Sequence, residues 1–182
     1  MKIHTKPVKK PSPLTRFARR IPARATWEKL TLPERQLVAL RKIIHQVNQL
    51  PGNGCRGLLS GPTSNHKMMA AQVVARELKR PLYQINLESI VSKYIGQTEK
   101  NISALFDAAE HADAILVFDE ADALFGKRTQ VRDAHDRYSN KEVGYLLSAV
   151  NQYTGLILVT ATQKNNLDQA FTRRLRHVIV FK

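Results

Sequence analysis

Two stretches of this chain carry residue types that could handle a phosphate. The first, Gly61-Pro62-Thr63-Ser64-Asn65-His66-Lys67-Met68, occupies the frame of the pattern G-x-x-x-x-G-K-[S/T]. Set between a strand and a helix, such a segment offers free N–H groups at the helix start, which favour a bound anion whatever the side chains are. Lys67 would add a point charge for the terminal phosphates. Two parts of the pattern are altered. His66 stands where a glycine would let the loop curl its N–H groups around a phosphate. Met68 puts a thioether where a hydroxyl would meet Mg²⁺, a hard cation that prefers oxygen. On these residues alone, a solvated strand-to-helix turn is as good a description as a phosphate site.

The second stretch lies about fifty residues further on, where the apolar run Ala114-Ile115-Leu116-Val117-Phe118 ends in Asp119-Glu120-Ala121-Asp122. A buried strand of this kind delivers its carboxylates at the carboxyl end, where ligands bind in open α/β sheets. Asp119 is placed to hold a metal ion or its water, and Glu120 to orient and deprotonate an attacking water in phosphoryl transfer. A single acid there commonly does no more than terminate a strand. Two acids after a loop lysine point to ATP and Mg²⁺.

The elements that must position these residues follow from hydrophobic periodicity. Leu37, Leu40, Ile43, Ile44, Val47 and Leu50 recur at helical spacing from Pro33 to Leu50, and Pro51 to Gly54 break the pattern. Arg56–Ser60 predicts a short buried strand, Lys67–Lys79 a helix, Pro81–Leu87 a second strand, and Glu99–His111 a helix burying Ile102, Leu105, Phe106 and Ala109. Ala114–Phe118 is a third strand, Lys141–Tyr153 a helix, Leu156–Thr160 a fourth strand and His177–Phe181 a fifth. Strands alternating with helices of this length predict an α/β fold, a parallel five-stranded sheet flanked by helices on both faces.

Composition sets the bounds. With 182 residues and 43% hydrophobic content the chain can bury one core. No apolar run approaches the roughly 20 residues of a membrane-spanning helix, so no membrane span is expected. The single cysteine, Cys55, excludes an internal disulfide and fits a reducing, cytoplasmic setting. The net charge of +14 is uneven: residues 1–25 hold eight Lys or Arg and no acid, together with Pro7, Pro11, Pro13 and Pro22. Such a segment is expected to be a basic, Pro-containing tail that neither runs as a helix nor buries enough surface to order itself, leaving 26–182 as the folded domain. A solvated linker, a targeting segment, a membrane-surface anchor and a nucleic-acid arm all remain open for it.

Residues Trp27–Phe181 resemble the large domain of AAA ATPases. Asp122-Ala123-Leu124-Phe125-Gly126-Lys127-Arg128, with Asp133-Ala134-His135-Asp136-Arg137-Tyr138, is similar to the AAA proteins of bacterial contractile injection systems. The resemblance implies a P-loop NTPase fold of AAA type and assembly of AAA subunits into a homo- or hetero-oligomeric ring, usually a hexamer, with ATP between neighbours. It assigns Ser92–Asn101 to a first pore loop and its following helix, with Tyr94 and Ile95 gripping a protein substrate, and a second pore loop to 127–139. Val159-Thr160-Ala161-Thr162-Gln163 is similar to the first sensor motif, with Gln163 in place of the usual asparagine. Leu167–Arg174 matches the segment bearing arginine fingers, so that Arg173 and Arg174 would reach a neighbour's phosphates; two basic residues at a helix end otherwise serve as an ordinary cap. The family's helical lid is expected to be absent, since the chain ends at Lys182 where it would begin.

Three functions follow as expectations. The chain is an ATP-binding, ATP-hydrolysing AAA subunit that remodels or assembles protein complexes; or a catalytically silent AAA subunit with a structural or binding role; or a nucleic-acid-binding module acting through its basic tail.

Overall fold

The computed structural model describes residues 13–92, 94–122 and 140–181. The second pore loop expected within 127–139, most of the 122–138 resemblance, Lys93 and residues 1–12 of the tail lie outside the described residues. The elements run Pro13–Phe17 (α1), Ala18–Ile21 (β1), Glu34–Gln49 (α2), Cys55–Ser60 (β2), Ser64–Leu78 (α3), Leu82–Ile85 (β3), Leu87–Ile90 (α4), Gln97–His111 (α5), Ile115–Phe118 (β4), Asn140–Gln152 (α6), Leu156–Ala161 (β5), Gln169–Thr172 (α7) and His177–Val180 (β6).

They form a six-stranded sheet of order β1-β3-β4-β5-β2-β6. The five strands expected from the apolar runs are all present and mutually parallel. The sixth, β1, pairs antiparallel with β3 at the edge. The expectation of a tail that does not order itself therefore fails for residues 13–21. Leu14, Phe17 and Ala18 are buried with Ile90, Ile102, Leu105 and Phe106, and the backbone N–H of Asn86 donates to Phe17 O at 2.9 Å. Three apolar side chains and an exposed strand edge give this segment a partner that its arginines and prolines conceal.

Strand β4 is apolar at every position, and β5 is apolar over Leu156–Val159, because both faces are covered. Leu116, Phe118, Ile157 and Val159 face α5 and α6, while Ile115, Val117, Leu156 and Leu158 face α2 and α3. On α2 the buried stripe is Leu40, Ile43 and Val47, the helical spacing expected. Leu50, expected to close that stripe, is half exposed beyond the helix end. Among the described residues no helix is long and apolar enough to cross a membrane.

Candidate functional site

Helix α3 begins at Ser64, three residues before the predicted start at Lys67. With His66 in place of glycine, nothing in Ser64-Asn65-His66 breaks a helix, so the first turn winds back into the segment that would otherwise form an open loop. Pro62, Thr63, Ser64, Asn65 and His66 are exposed, and Met68 is half-buried among the residues packed on α2 and β2. Gly61 is needed for packing: a Cβ there would lie 2.7 Å from Phe181 Cβ and O at the end of β6.

Lys67 points inward and is only 2% exposed. Its ammonium donates to Gly61 O at 2.7 Å and to Ala161 O at 3.0 Å, tying the carboxyl end of β2 to that of β5. Burying a lysine demands such acceptors, since an unpaired charge in the interior is strongly disfavoured.

The acids stand on the other side of β5. Asp119 follows β4, whose Phe118 pairs with Val159, so its carboxylate lies beside Thr160. The Thr160 hydroxyl donates to Asp119 Oδ1 at 2.5 Å, and the Gln84 amide donates to Oδ2 at 2.9 Å. Glu120 has φ +52, a left-handed conformation costing a non-glycine residue on the order of 1 kcal/mol. Two bonds hold it there: Glu120 N–H donates to Thr160 Oγ1 at 3.0 Å and Ala121 N–H to Thr160 O at 2.9 Å. This turn leaves the Glu120 side chain exposed at the rim. Asp122 accepts from Thr162 N–H at 3.1 Å, extending the link between the two strand ends.

Gly61, Lys67, Asp119 and Glu120 thus meet at one rim of the sheet, linked through consecutive residues of β5, Thr160 and Ala161. The other sequence candidates are placed differently. Tyr94 and Ile95 lie in the loop between α4 and α5, Tyr94 69% exposed and Ile95 fully so, just before Gly96 at φ +74. Gln163 is exposed two residues past β5. Arg173 and Arg174 are exposed after α7, on the segment that carries the chain from the carboxyl edge at Ala161 back to the amino edge at His177. Arg173 lines a shallow cavity of about 310 Å³ with Lys164, Asn165, Leu167, Gln169 and Thr172. Cys55 is buried and its thiol pushed up to about 11 by desolvation, which makes it a poor nucleophile.

Among the described residues no group of three or more His, Cys, Asp or Glu could cage a metal ion. Mg²⁺ keeps several waters and is held by one or two carboxylates together with substrate phosphates. Asp119 is the carboxylate that would serve such an ion. Met68 supplies no oxygen, so the residues fit a metal brought in with the triphosphate and not one bound beforehand.

Sequence reasoning missed Thr160 and Gln84 as parts of this site. A hydroxyl closing the otherwise apolar run Leu156–Val159 was a usable signal for Thr160. Gln84 offered none, since a polar residue in a strand near the sheet edge is ordinary.

The strand order and the convergence of a lysine in the first turn of α3 with strand-end acids define an α/β domain of the P-loop NTPase type. Residues 57–182 match the model of the AAA family, ATPases associated with various cellular activities, and the chain belongs to that family. It is similar to an uncharacterised AAA family ATPase of Sinorhizobium fredii, 29% identical over 153 residues that cover 81% of this chain and 46% of the relative. It is also similar to fidgetin-like protein 1 of Drosophila melanogaster (34% over 121 residues; 64% and 23%). The third is spastin of Dictyostelium discoideum (35% over 122 residues; 65% and 19%). The chain spans less than half the length of these relatives.

Proposed function

We propose that this chain binds ATP with Mg²⁺ at the carboxyl rim of the sheet and hydrolyses it as a subunit of a ring, remodelling or assembling protein complexes. The supporting observation is the linkage of Lys67 and the acid pair through Thr160 and Ala161. The N–H groups opening α3 and the Lys67 amine meet the terminal phosphates. Asp119 holds the metal or its water, and Glu120 takes the proton of the attacking water. A bound metal ion neutralises charge on the triphosphate. Gln163 contacts the terminal phosphate or that water.

Arg173 and Arg174 sit on the segment leading away from their own rim, which suits a role in a neighbour's site. Tyr94 and Ile95, the most exposed large apolar pair in the described chain, are suited to gripping a polypeptide in a central channel. The 122–138 resemblance suggests a contractile injection system as the setting.

A second reading, a catalytically silent AAA subunit, is favoured by the bonded Lys67 amine and the helical turn over Ser64–His66. Binding of a fluorescent ATP analogue, with and without Mg²⁺, paired with phosphate release, separates the two. Glu120→Gln is expected to abolish phosphate release and leave binding intact. Equal release from both proteins would end the proposed role of Glu120; binding without release from the unsubstituted chain would establish the silent subunit.

A further inference from the structure

The edge strand β1 reaches the acid site through one side chain. Arg19 Nη2 donates to Gln84 Oε1 at 2.7 Å, and Gln84 Nε2 donates to Asp119 Oδ2 at 2.9 Å. Arg19 lies opposite Gln84 in the β1–β3 register, so the contact is fixed by strand pairing. The α1–β1 segment is itself anchored by the buried Leu14, Phe17 and Ala18.

The direction of these bonds is determined by chemistry. A guanidinium has donors only, so it binds the amide's oxygen. The amide NH₂ must then face Asp119, where a carboxylate accepts. Thr160 donates to the other carboxylate oxygen and accepts from Glu120 N–H. Donors from β1, β3 and β5 therefore all run toward Asp119.

We propose that Arg19 and Gln84 are positioning residues for the nucleotide–metal site: Arg19 sets the amide orientation of Gln84, and Gln84 sets the carboxylate of Asp119. The proposal rests on ATP and Mg²⁺ binding at this rim. It makes metal affinity depend on the seating of β1, an element separated from Asp119 by about a hundred residues of chain.

The test is the Mg²⁺ concentration giving half-maximal binding of a fluorescent ATP analogue to the full chain. Partners that orient a metal-binding carboxylate influence affinity by about 10- to 100-fold. Gln84→Leu is expected to raise the half-saturating Mg²⁺ about tenfold, with a much smaller change in Mg²⁺-free binding. Arg19→Lys, which keeps a donor, should behave as the unsubstituted chain, and Arg19→Ala should lose about threefold. Arg19→Glu should be worst, because an acceptor at this position draws the Gln84 NH₂ to itself and turns the amide oxygen toward Asp119. Arg20→Glu makes the same charge change on the opposite face of β1 and should have no effect.

In the Gln84→Leu background, all Arg19 substitutions should become equivalent, because Arg19 acts through Gln84. A second readout needs no nucleotide: Glu120 N–H should exchange with solvent faster in Arg19→Glu than in Arg20→Glu. Mg²⁺-dependent binding that responds equally to Arg19→Glu and Arg20→Glu overturns the inference alone. A chain that binds no nucleotide overturns the proposed function and the inference with it.

Discussion

At one rim of the sheet, Asp119 receives donors on both carboxylate oxygens, from Gln84 and Thr160, while Lys67, across β5, gives its own donors to the carbonyls of Gly61 and Ala161. The acid side is built from side chains aimed at the Asp119 carboxylate. The lysine side is closed on its own backbone, under a helix that starts early at Ser64. On the proposed reading, a triphosphate finds its acids already oriented and must displace carbonyls to reach its lysine. Preorganisation of the first kind favours the chemical step, whereas displacement of the second kind lowers affinity.

The largest expected effect lies on the acid side. Thr160→Val keeps the shape of a fully buried side chain and removes its hydroxyl. Asp119 loses a donor, Glu120 N–H loses its acceptor, and the left-handed turn at Glu120 loses an anchor. A loss of about 3 kcal/mol in urea unfolding is expected, since both groups left behind are polar and one is charged. A loss below about 1 kcal/mol would mean that the acid turn is held by the strand backbone alone.

Lys67→Met is expected to lose less, about 2 kcal/mol in the same measurement. The methionine fills most of the volume, and the chief penalty is two buried carbonyls deprived of a donor. Ala161 O retains the Gly61 N–H at 3.0 Å, which softens the loss. If Lys67→Met proved more damaging than Thr160→Val, the lysine would be the structural keystone of the rim and the contrast between its two sides would reverse.

These differences bear on what the sequence could disclose. The inner strands β4 and β5 were the most legible, because a strand buried on both faces is largely apolar, and Leu156–Val159 or Ile115–Phe118 admits little else. Strand β1 was hidden. Arg19 and Arg20 are exposed on an edge strand, so four residues carry too little pattern to outweigh Pro11, Pro13 and Pro22 around them. Its order comes from β3 and α5, which no local window contains.

At the site, the acid pair was legible from its place after an apolar run, and Lys67 from its frame. The inward turn of Lys67, the donor from Thr160 and the reach of Gln84 were not. Each depends on which strands become neighbours, and the order β3-β4-β5-β2 brings together residues far apart in the chain.

The smallest effect sharpens the contrast most, because it acts on the loop side in two opposite directions. His66→Gly with Met68→Thr restores the glycine and hydroxyl that the phosphate pattern calls for. Glycine in the first turn of α3 should lower stability by about 1 kcal/mol, read as a fall in the melting temperature. The same change frees residues 64–66 to leave the helix and turn their N–H groups toward a phosphate, and gives Mg²⁺ an oxygen ligand. Affinity for a fluorescent ATP analogue should rise, more with Mg²⁺ than without. A fall in stability with no gain in affinity would place the barrier at Lys67, whose amine would still be bound to Gly61 and Ala161 whatever the loop before it does.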